Sequence, residues 1–369
     1  MAKKIIIIDN IIFSLQKHGG ISVVWYELLI RMLEDPDFEC EFIDLPNQNS
    51  LRAELDIPSI NILKNNLSYL PLQIQRYVNP KVNSTSDKCI FHSSYFRTTS
   101  NANIMNVTTI HDFTYEYFFC GLAQRIHMFQ KRNSIEHSKK IICVSENTKY
   151  DLFKFHPQIK EDQVEVVYNG VSDDYCILNH KERLLINELI PFKMNEYVLY
   201  VGDRKSEYKN FKMLVEACNI SKFPLVIVGG EPSKLEESFL NEKLGRLKYI
   251  HLIGIDNSKL NLLYNCAFSF VYPSLYEGFG IPILEAQKAG CPVICSNQSS
   301  IPEVAGNAAF IIDDISALKI ADILVENLSR SDQTNKIIDE GFINAKRFSW
   351  DKCYQQTKQV YSDVYSSFE

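Results

Sequence analysis

The 369-residue sequence predicts an α/β protein made of two consecutive parallel-sheet domains joined by one linker. Three observations carry this. Apolar runs of strand length alternate with amphipathic stretches of helix length from end to end, as βα units on a parallel sheet do. The alternation stops once, at Asn169-Gly170, and starts afresh beyond Asn195. At about 100–200 residues per domain, the chain is also too long for one simple core.

The first series opens with Ile5 to Ile8, four isoleucines stopped by Asp9 and Asn10. That is a strand core, shorter than a signal-peptide apolar region or the roughly 20 apolar residues of a membrane span. No other segment approaches that length, so a cytoplasmic chain is expected. Gly19 and Gly20 lie in the loop that follows. From Ile21 a helical period places Val24, Leu28, Leu29 and Met32 on one face. Further strands are predicted at 40–43, 89–92, 107–110, 141–144 and 164–168. Residues 46–87, rich in Asn, Ser and Pro, read as loops with one short helix. The second series predicts strands at 197–201, 225–228, 249–252, 267–271, 292–295 and 309–312, with helices at 210–218, 259–266 and 282–289. The boundaries expected are 1–175 for the first domain, 176–195 for the linker, 196–349 for the second domain and 350–369 for a last helix. In open α/β sheets ligands bind beyond the carboxyl ends of the strands, so chemistry is sought in those loops.

Composition narrows the function classes. Hydrophobic residues make up 46% and charged residues 23%, which is ordinary globular usage and excludes disorder, fibres and coiled coils. Against 39 Lys+Arg stand 45 Asp+Glu, a net charge of −6, whereas a chain held on duplex nucleic acid by its phosphates is usually basic. The ten cysteines are scattered without a CxxC pair and read as buried reduced thiols, not as zinc ligands or a disulfide scaffold.

Four loops carry the candidate chemistry. In Tyr272–Glu285 a strand ends, Gly278, Gly280 and Pro282 forbid an ordinary helix, and Pro282 then suits the start of the next one. The N–H groups of Gly278, Phe279, Gly280 and Ile281 are left without strand or helix partners, a cradle for anions and sugar hydroxyls. Glu277 and Glu285 bracket it, either aimed at two parts of one ligand or acting as a loop carboxylate and a first-turn helix charge. In Tyr200–Asn210, Arg204 and Lys209 stand five apart after a strand. A forked guanidinium and an ammonium suit a diphosphate; two solvated cations are the alternative. His18–Ser22 (His-Gly-Gly-Ile-Ser) is a glycine loop entering the first helix, and it is not the G-x-G-x-x-G dinucleotide fingerprint. His111 and Asp112 end a strand in Thr108–Phe113, where the histidine is structural or lines a site. Ser300–Glu303 reads as a capping box with a structural role only. Between Gly121 and Lys140, Arg125, Lys131, Arg132, Lys139 and Lys140 face one acid, Glu136, beside Phe118, Phe119, Met128 and Phe129. This is a solvated helix face or a surface docking on an anionic bilayer.

Together these segments resemble the retaining nucleotide-sugar glycosyltransferases of family 4. Glu277-Gly-Phe-Gly-Ile-Pro-Ile-Leu-Glu285 is similar to their E-x7-E motif, and Ser300–Gly306 to the segment after it. Arg204 and Lys209 match their R-x4-K diphosphate clamp, Gly19-Gly20-Ile21 their N-terminal glycine loop, and His111-Asp112 their strand-end histidine. The likeness runs over most of the chain, including Phe348-Ser-Trp350. It implies the GT-B fold: two Rossmann-like domains facing a cleft, with the terminal helix crossing back to the first, acceptor-side domain. The second domain would take the nucleotide-sugar donor.

The resemblance also implies roles. Arg204 and Lys209 would bind the diphosphate and stabilise the leaving nucleotide. Glu285 would hold the ribose hydroxyls, and Glu277 with the amides of 278–281 would hold the donor sugar. Gly19 and Gly20 would also border the donor, and His111 would line the sugar side. No metal or other cofactor is expected. One departure stands out: Tyr208-Lys209-Asn210 replaces the commonest Arg-Lys-Asn, with the arginine moved back to Arg204. That makes the chain similar to members acting on mannose-like GDP-sugars in surface polysaccharide assembly, including O-antigen. The implied partners are a nucleotide-sugar donor, a saccharide or polyprenyl-linked acceptor and peripheral contact with the inner membrane face, without nucleic acid. A UDP-sugar transferase of the same fold is the first alternative. A nicotinamide oxidoreductase is disfavoured by the missing fingerprint after Ile8, and a non-catalytic scaffold by the intact charged motifs.

Overall fold

The computed structural model describes residues 3–17, 19–64, 66–82, 88–326 and 332–368. His18 of the glycine loop lies outside the described residues, as do Asn65 and residues 83–87 of the irregular 46–87 region. The chain divides into two units, Met1–Gly170 with Trp350–Glu369, and Val171–Ser349.

The first unit holds β1 (Lys4–Asp9), β2 (Phe38–Ile43), β3 (Cys89–Ser93), β4 (Ile104–Ile110), β5 (Ser138–Cys143) and β6 (Val164–Val166). They form one parallel sheet in the order β2-β1-β3-β4-β5-β6. Ile6, Ile7 and Ile8 of β1 are buried and Ile5 is half-buried, in a strand that pairs in parallel on both sides. The Gly20–Glu34 helix packs Val24, Trp25, Leu28, Leu29 and Met32 inward. The Trp350–Ser366 helix is part of this unit. Its Tyr361 hydroxyl lies 2.8 Å from Nδ1 of the buried His92, and Lys358 reaches Asp35 and Asp37, each at 2.7 Å.

The second unit holds β7 (Val198–Val201), β8 (Leu225–Val228), β9 (Tyr249–Leu252), β10 (Ser269–Tyr272), β11 (Val293–Ser296) and β12 (Phe310–Ile312). They form a second parallel sheet, β12-β11-β10-β7-β8-β9. Read from β9, the sequence order is third, second, first, fourth, fifth, sixth, the Rossmann arrangement, with its switch point between β7 and β10. The core gathers Val198, Tyr200, Phe211, Leu214, Val215, Leu225, Ile227, Val271 and Ile294. Residues 176–195, expected as a linker, are part of this unit. The Cys176 N–H donates to Asn261 Oδ1 at 3.2 Å and the Leu178 N–H to Asn265 Oδ1 at 2.8 Å, so two buried asparagines fasten the segment to the Asn257–Cys266 helix.

All ten cysteines are free; Cys120 and Cys176 are exposed and the other eight are buried. Among the described residues no helix is long and apolar enough to cross a membrane.

Candidate active site

The loops after β7 and β10 leave the second sheet at its switch point, and two of the predicted motifs meet there. After β7 the chain turns around Asp203, whose carboxylate accepts from the Lys205 and Ser206 N–H groups at 3.2 and 3.0 Å and from the Ser206 hydroxyl at 2.6 Å. A 3-10 turn, Glu207–Lys209, follows, and Asn210 at φ 58° starts the Phe211–Ser221 helix in the left-handed region that asparagine tolerates. This delivers Lys209 to the loop after β10. Its Nζ donates to both carboxylate oxygens of Glu277, at 2.6 and 2.7 Å. Neither is a solvated charge: the side chains are 17% and 11% exposed.

The E-x7-E loop is braced from behind by a serine pair. The Glu277 N–H donates to Ser299 Oγ at 2.8 Å. Ser300 Oγ lies 2.9 Å from the carbonyl oxygens of both Glu277 and Phe279. Ser300 was expected to cap its own helix, but its side chain makes no capping bond. The hydroxyl instead meets two carbonyls that the glycine-rich turn leaves outside any ladder. Gly280 at φ 114° is the N-cap of the Ile281–Lys288 helix, with Pro282 in its first turn. Phe279 is buried with its ring edge on Phe348.

Arg204 takes another course. Its Nε–H donates to Glu236, its Nη2 to the Gly230 carbonyl at 2.6 Å, and the guanidinium lies over the Phe211 ring. Its side chain is 3% exposed. A Cβ at Gly229 would come within 2.7 Å of Arg204 Nη1 and 2.5 Å of the Gly202 carbonyl oxygen, so glycine is what lets the guanidinium reach this place. Arg204 and Lys209 are therefore held by different carboxylates, Glu236 and Glu277. Glu236 and Gly229 escaped the sequence reading because neither falls in a motif with Arg204.

Glu285 sits one turn into its helix, half-buried, and accepts from the Tyr264 hydroxyl at 3.0 Å. Desolvation pushes its carboxyl up to about 7, against the opposing pull of the Tyr264 and Tyr175 hydroxyls. It is not the first-turn charge of the alternative reading; that turn holds no acid.

In the first unit Gly19 is the N-cap of the Gly20–Glu34 helix, Gly20 its first residue, and the Gly19 carbonyl accepts from Ser22 Oγ at 2.8 Å. His111 and Asp112 follow β4. Burial lowers His111 to about 4, so its imidazole is neutral at pH 7, and its Nε2 is buried without a hydrogen-bond partner among the described residues. Asp112 accepts from the Thr114 N–H at 2.9 Å. Lys131, counted in the basic stretch, is not on a solvated face. It is fully buried, donating to the Asp112 carbonyl at 2.9 Å and to Glu116 at 2.8 Å. The remaining face of the Leu122–Glu136 helix exposes Leu122, Ile126 and Phe129 beside Arg125 and Arg132, with Phe118 and Phe119 next to it. At the carboxyl end of β1, Asp9 forms a fully buried ion pair with Arg97, whose Nε lies 2.8 Å from Oδ2; Ser93 adds a bond of 2.6 Å.

Sequence comparison decides the family. Residues 18–175 match the family model Glycosyltransferase Family 4, and residues 181–342 match Glycosyl transferases group 1. The O-antigen chain mannosyltransferase B of Escherichia coli is 30% identical over 270 residues, 69% of each chain. The chain belongs to glycosyltransferase family 4. The O-antigen chain mannosyltransferase RfbU of Salmonella typhimurium is a similar relative, 27% identical over 60% of this chain and 62% of its own. The family's fold is seen in the sucrose-phosphate synthase of Thermosynechococcus elongatus, which superposes with a TM-score of 0.77 at 16% identity, covering 99% of this chain and all of that one. The fold is GT-B.

Proposed function

We propose that this family-4 chain is a retaining glycosyltransferase that moves mannose, or a mannose-derived hexose, from a GDP-sugar to a saccharide or polyprenyl-linked acceptor in cell-surface polysaccharide assembly. The observation that carries the reading is the Lys209–Glu277 pair at the switch point of the second unit, where the R-x4-K and E-x7-E segments meet. The names of the Escherichia coli and Salmonella relatives support mannose as the sugar and O-antigen as the setting.

In this reading Lys209 moves its charge from Glu277 to the diphosphate as the glycosidic bond breaks and negative charge grows on the leaving oxygen. Arg204, oriented by Glu236 and Gly230, adds a second cation. Glu277, released from Lys209, and the amides of 278–281 hold the donor sugar, while Ser300 keeps that loop in place. Glu285 takes the ribose hydroxyls, and ionises as they donate to it. Gly19, Gly20 and His111 serve the sugar side from the first unit. The two cations meet the leaving charge, so the reaction as proposed needs no metal. The exposed apolar and basic face of the Leu122–Glu136 helix supports peripheral contact with an anionic membrane face.

The test is transfer by the full chain from GDP-mannose, UDP-glucose and other nucleotide-sugars to a polyprenyl-diphosphate-linked saccharide, with the product's anomeric configuration read by proton NMR. Mannose transferred with its α-configuration kept supports the reading. Transfer from UDP-sugars alone overturns the donor, an inverted anomer overturns retention, and no turnover with any donor overturns the whole.

A further inference from the structure

The last residue of β10, Tyr272, touches both charged motifs of the second unit. It is buried, 4% exposed, and its hydroxyl donates to the Glu277 carboxylate. Lys209 Nζ, a donor to the same carboxylate from the other motif, lies over the Tyr272 ring, 5.9 Å from its centroid. A Cβ at Gly280 would lie 3.7 Å from Tyr272 Cε1, so the glycine turn closes on the same ring. The ring itself is fixed. β10 pairs with β7 on one side and β11 on the other, Tyr272 pairs in register with Cys295, and its ring leans on Phe270 at 5.7 Å. Tyr200 on the neighbouring strand is committed elsewhere, its hydroxyl donating to the Asp203 carbonyl at 2.6 Å.

These two donors to Glu277 differ in mobility. Lys209 carries its charge on a flexible four-carbon stem at the end of a short 3-10 turn, and a diphosphate can draw it away. Tyr272 has no such freedom. The Glu277 side chain is 11% exposed, and a carboxylate left there without a donor is strongly destabilising. Burial, with the Glu277 charge adding to it, pushes the Tyr272 hydroxyl well above its ordinary range, so it stays an O–H donor at neutral pH. Its bond to the carboxylate is charge-assisted, and so is stronger than one between neutral groups.

We propose that Tyr272 is a positioning residue for Glu277: it keeps the carboxylate aimed at the donor sugar once Lys209 has left for the diphosphate. This rests on the glycosyltransferase reading and deepens it with a residue that acts through Glu277. The test is a double-mutant cycle in the full chain. Tyr272→Phe removes the hydroxyl and keeps the ring. It weakens GDP-mannose binding about tenfold in isothermal titration and lowers kcat about tenfold, with the acceptor KM unchanged. UDP-glucose takes the place of GDP-mannose if that is the donor the wild type turns over. In a Glu277→Gln background there is no carboxylate to hold, and the same change weakens binding by less than about threefold. A merely structural hydroxyl would give equal losses in both backgrounds. In the otherwise wild-type chain carrying 3-fluorotyrosine at position 272, the matching nucleoside diphosphate shifts the 19F signal as Lys209 leaves the ring, a readout independent of how the variants fold. Equal losses in the two backgrounds, no loss in Tyr272→Phe, or an unmoved 19F signal would each overturn the assignment while leaving wild-type turnover in place. A wild type that turns over no nucleotide-sugar fails the glycosyltransferase reading itself, and takes this assignment with it.

Discussion

Replacing Glu285 by Gln separates the empty state of the proposed donor site from its liganded state. Desolvation lifts this carboxyl from 4.5 to about 7. At 1.36 kcal/mol per unit, holding it ionised in the empty site costs up to about 3 kcal/mol, a ceiling because part of the residue still meets solvent. A raised acid binds its proton more tightly when folded. The second unit is therefore favoured at low pH, and this contribution is lost as pH rises from 4.5 through about 7. Glutamine keeps the acceptor oxygen for Tyr264 and removes the charge. At pH 8 without nucleotide, Glu285→Gln should melt higher than wild type, by up to about 6–12 °C at 2–4 °C per kcal/mol for a unit of this size. The variant's melting temperature should also lose this slope between pH 5 and 8. Nucleotide reverses the order: hydroxyl donors favour the ionised form, so wild-type affinity rises through pH 7 and that of the variant stays flat. Calorimetric melts and nucleotide titrations across pH 5–8 measure both. A variant less stable than wild type at pH 8, or with the same pH slope, would refute the reasoning.

Lys209→Ala strands Glu277 and removes a charge-assisted contact worth about 1.5–3 kcal/mol, so isothermal titration should show nucleotide diphosphate binding weakened about 10–150-fold. Ser300→Ala frees the two carbonyls behind the E-x7-E loop and should lower kcat/KM for the donor about tenfold, the equivalent of about 1.4 kcal/mol in steady-state kinetics. Arg97→Met leaves Asp9 as a buried lone charge and should cost about 3–5 kcal/mol in denaturant melts, while a double change to apolar partners recovers much of it. His92, His111 and His127 are depressed to about 3, 4 and 3, so the stability they confer is full above 6.5 and is lost as pH falls from there through the folded values. The first unit should weaken in acid, opposite in sign to the Glu285 effect, and circular dichroism melts from pH 7 to 4 follow it.

The fold was legible because its signal is periodic and local. Ile6 to Ile8 of the isoleucine run are buried in the strand, and the period from Ile21 matches the buried face of the Gly20–Glu34 helix. Motifs whose residues lie close in sequence, such as 277–285, were legible for the same reason. What stayed hidden were partnerships between distant residues. Glu236 stands 32 residues from Arg204, and Asp9 stands 88 from Arg97, so no spacing rule joins them. Ser300 was misjudged because Ser-x-x-Glu has a local explanation, and the stronger demand came from carbonyls more than 20 residues away. Lys131 was counted among surface cations because charge in a sequence carries no depth.

The terminal helix has a consequence for how the molecule is made. Trp350–Glu369 belongs to the first unit, so the second unit is an insertion within the first. On the ribosome Val171–Ser349 is synthesised whole before the segment that covers His92 emerges. The unit begun first is thus the last to be finished. Until then its β1–β3 region lacks the Tyr361 and Lys358 contacts and leaves uncovered the apolar surface on which that helix packs.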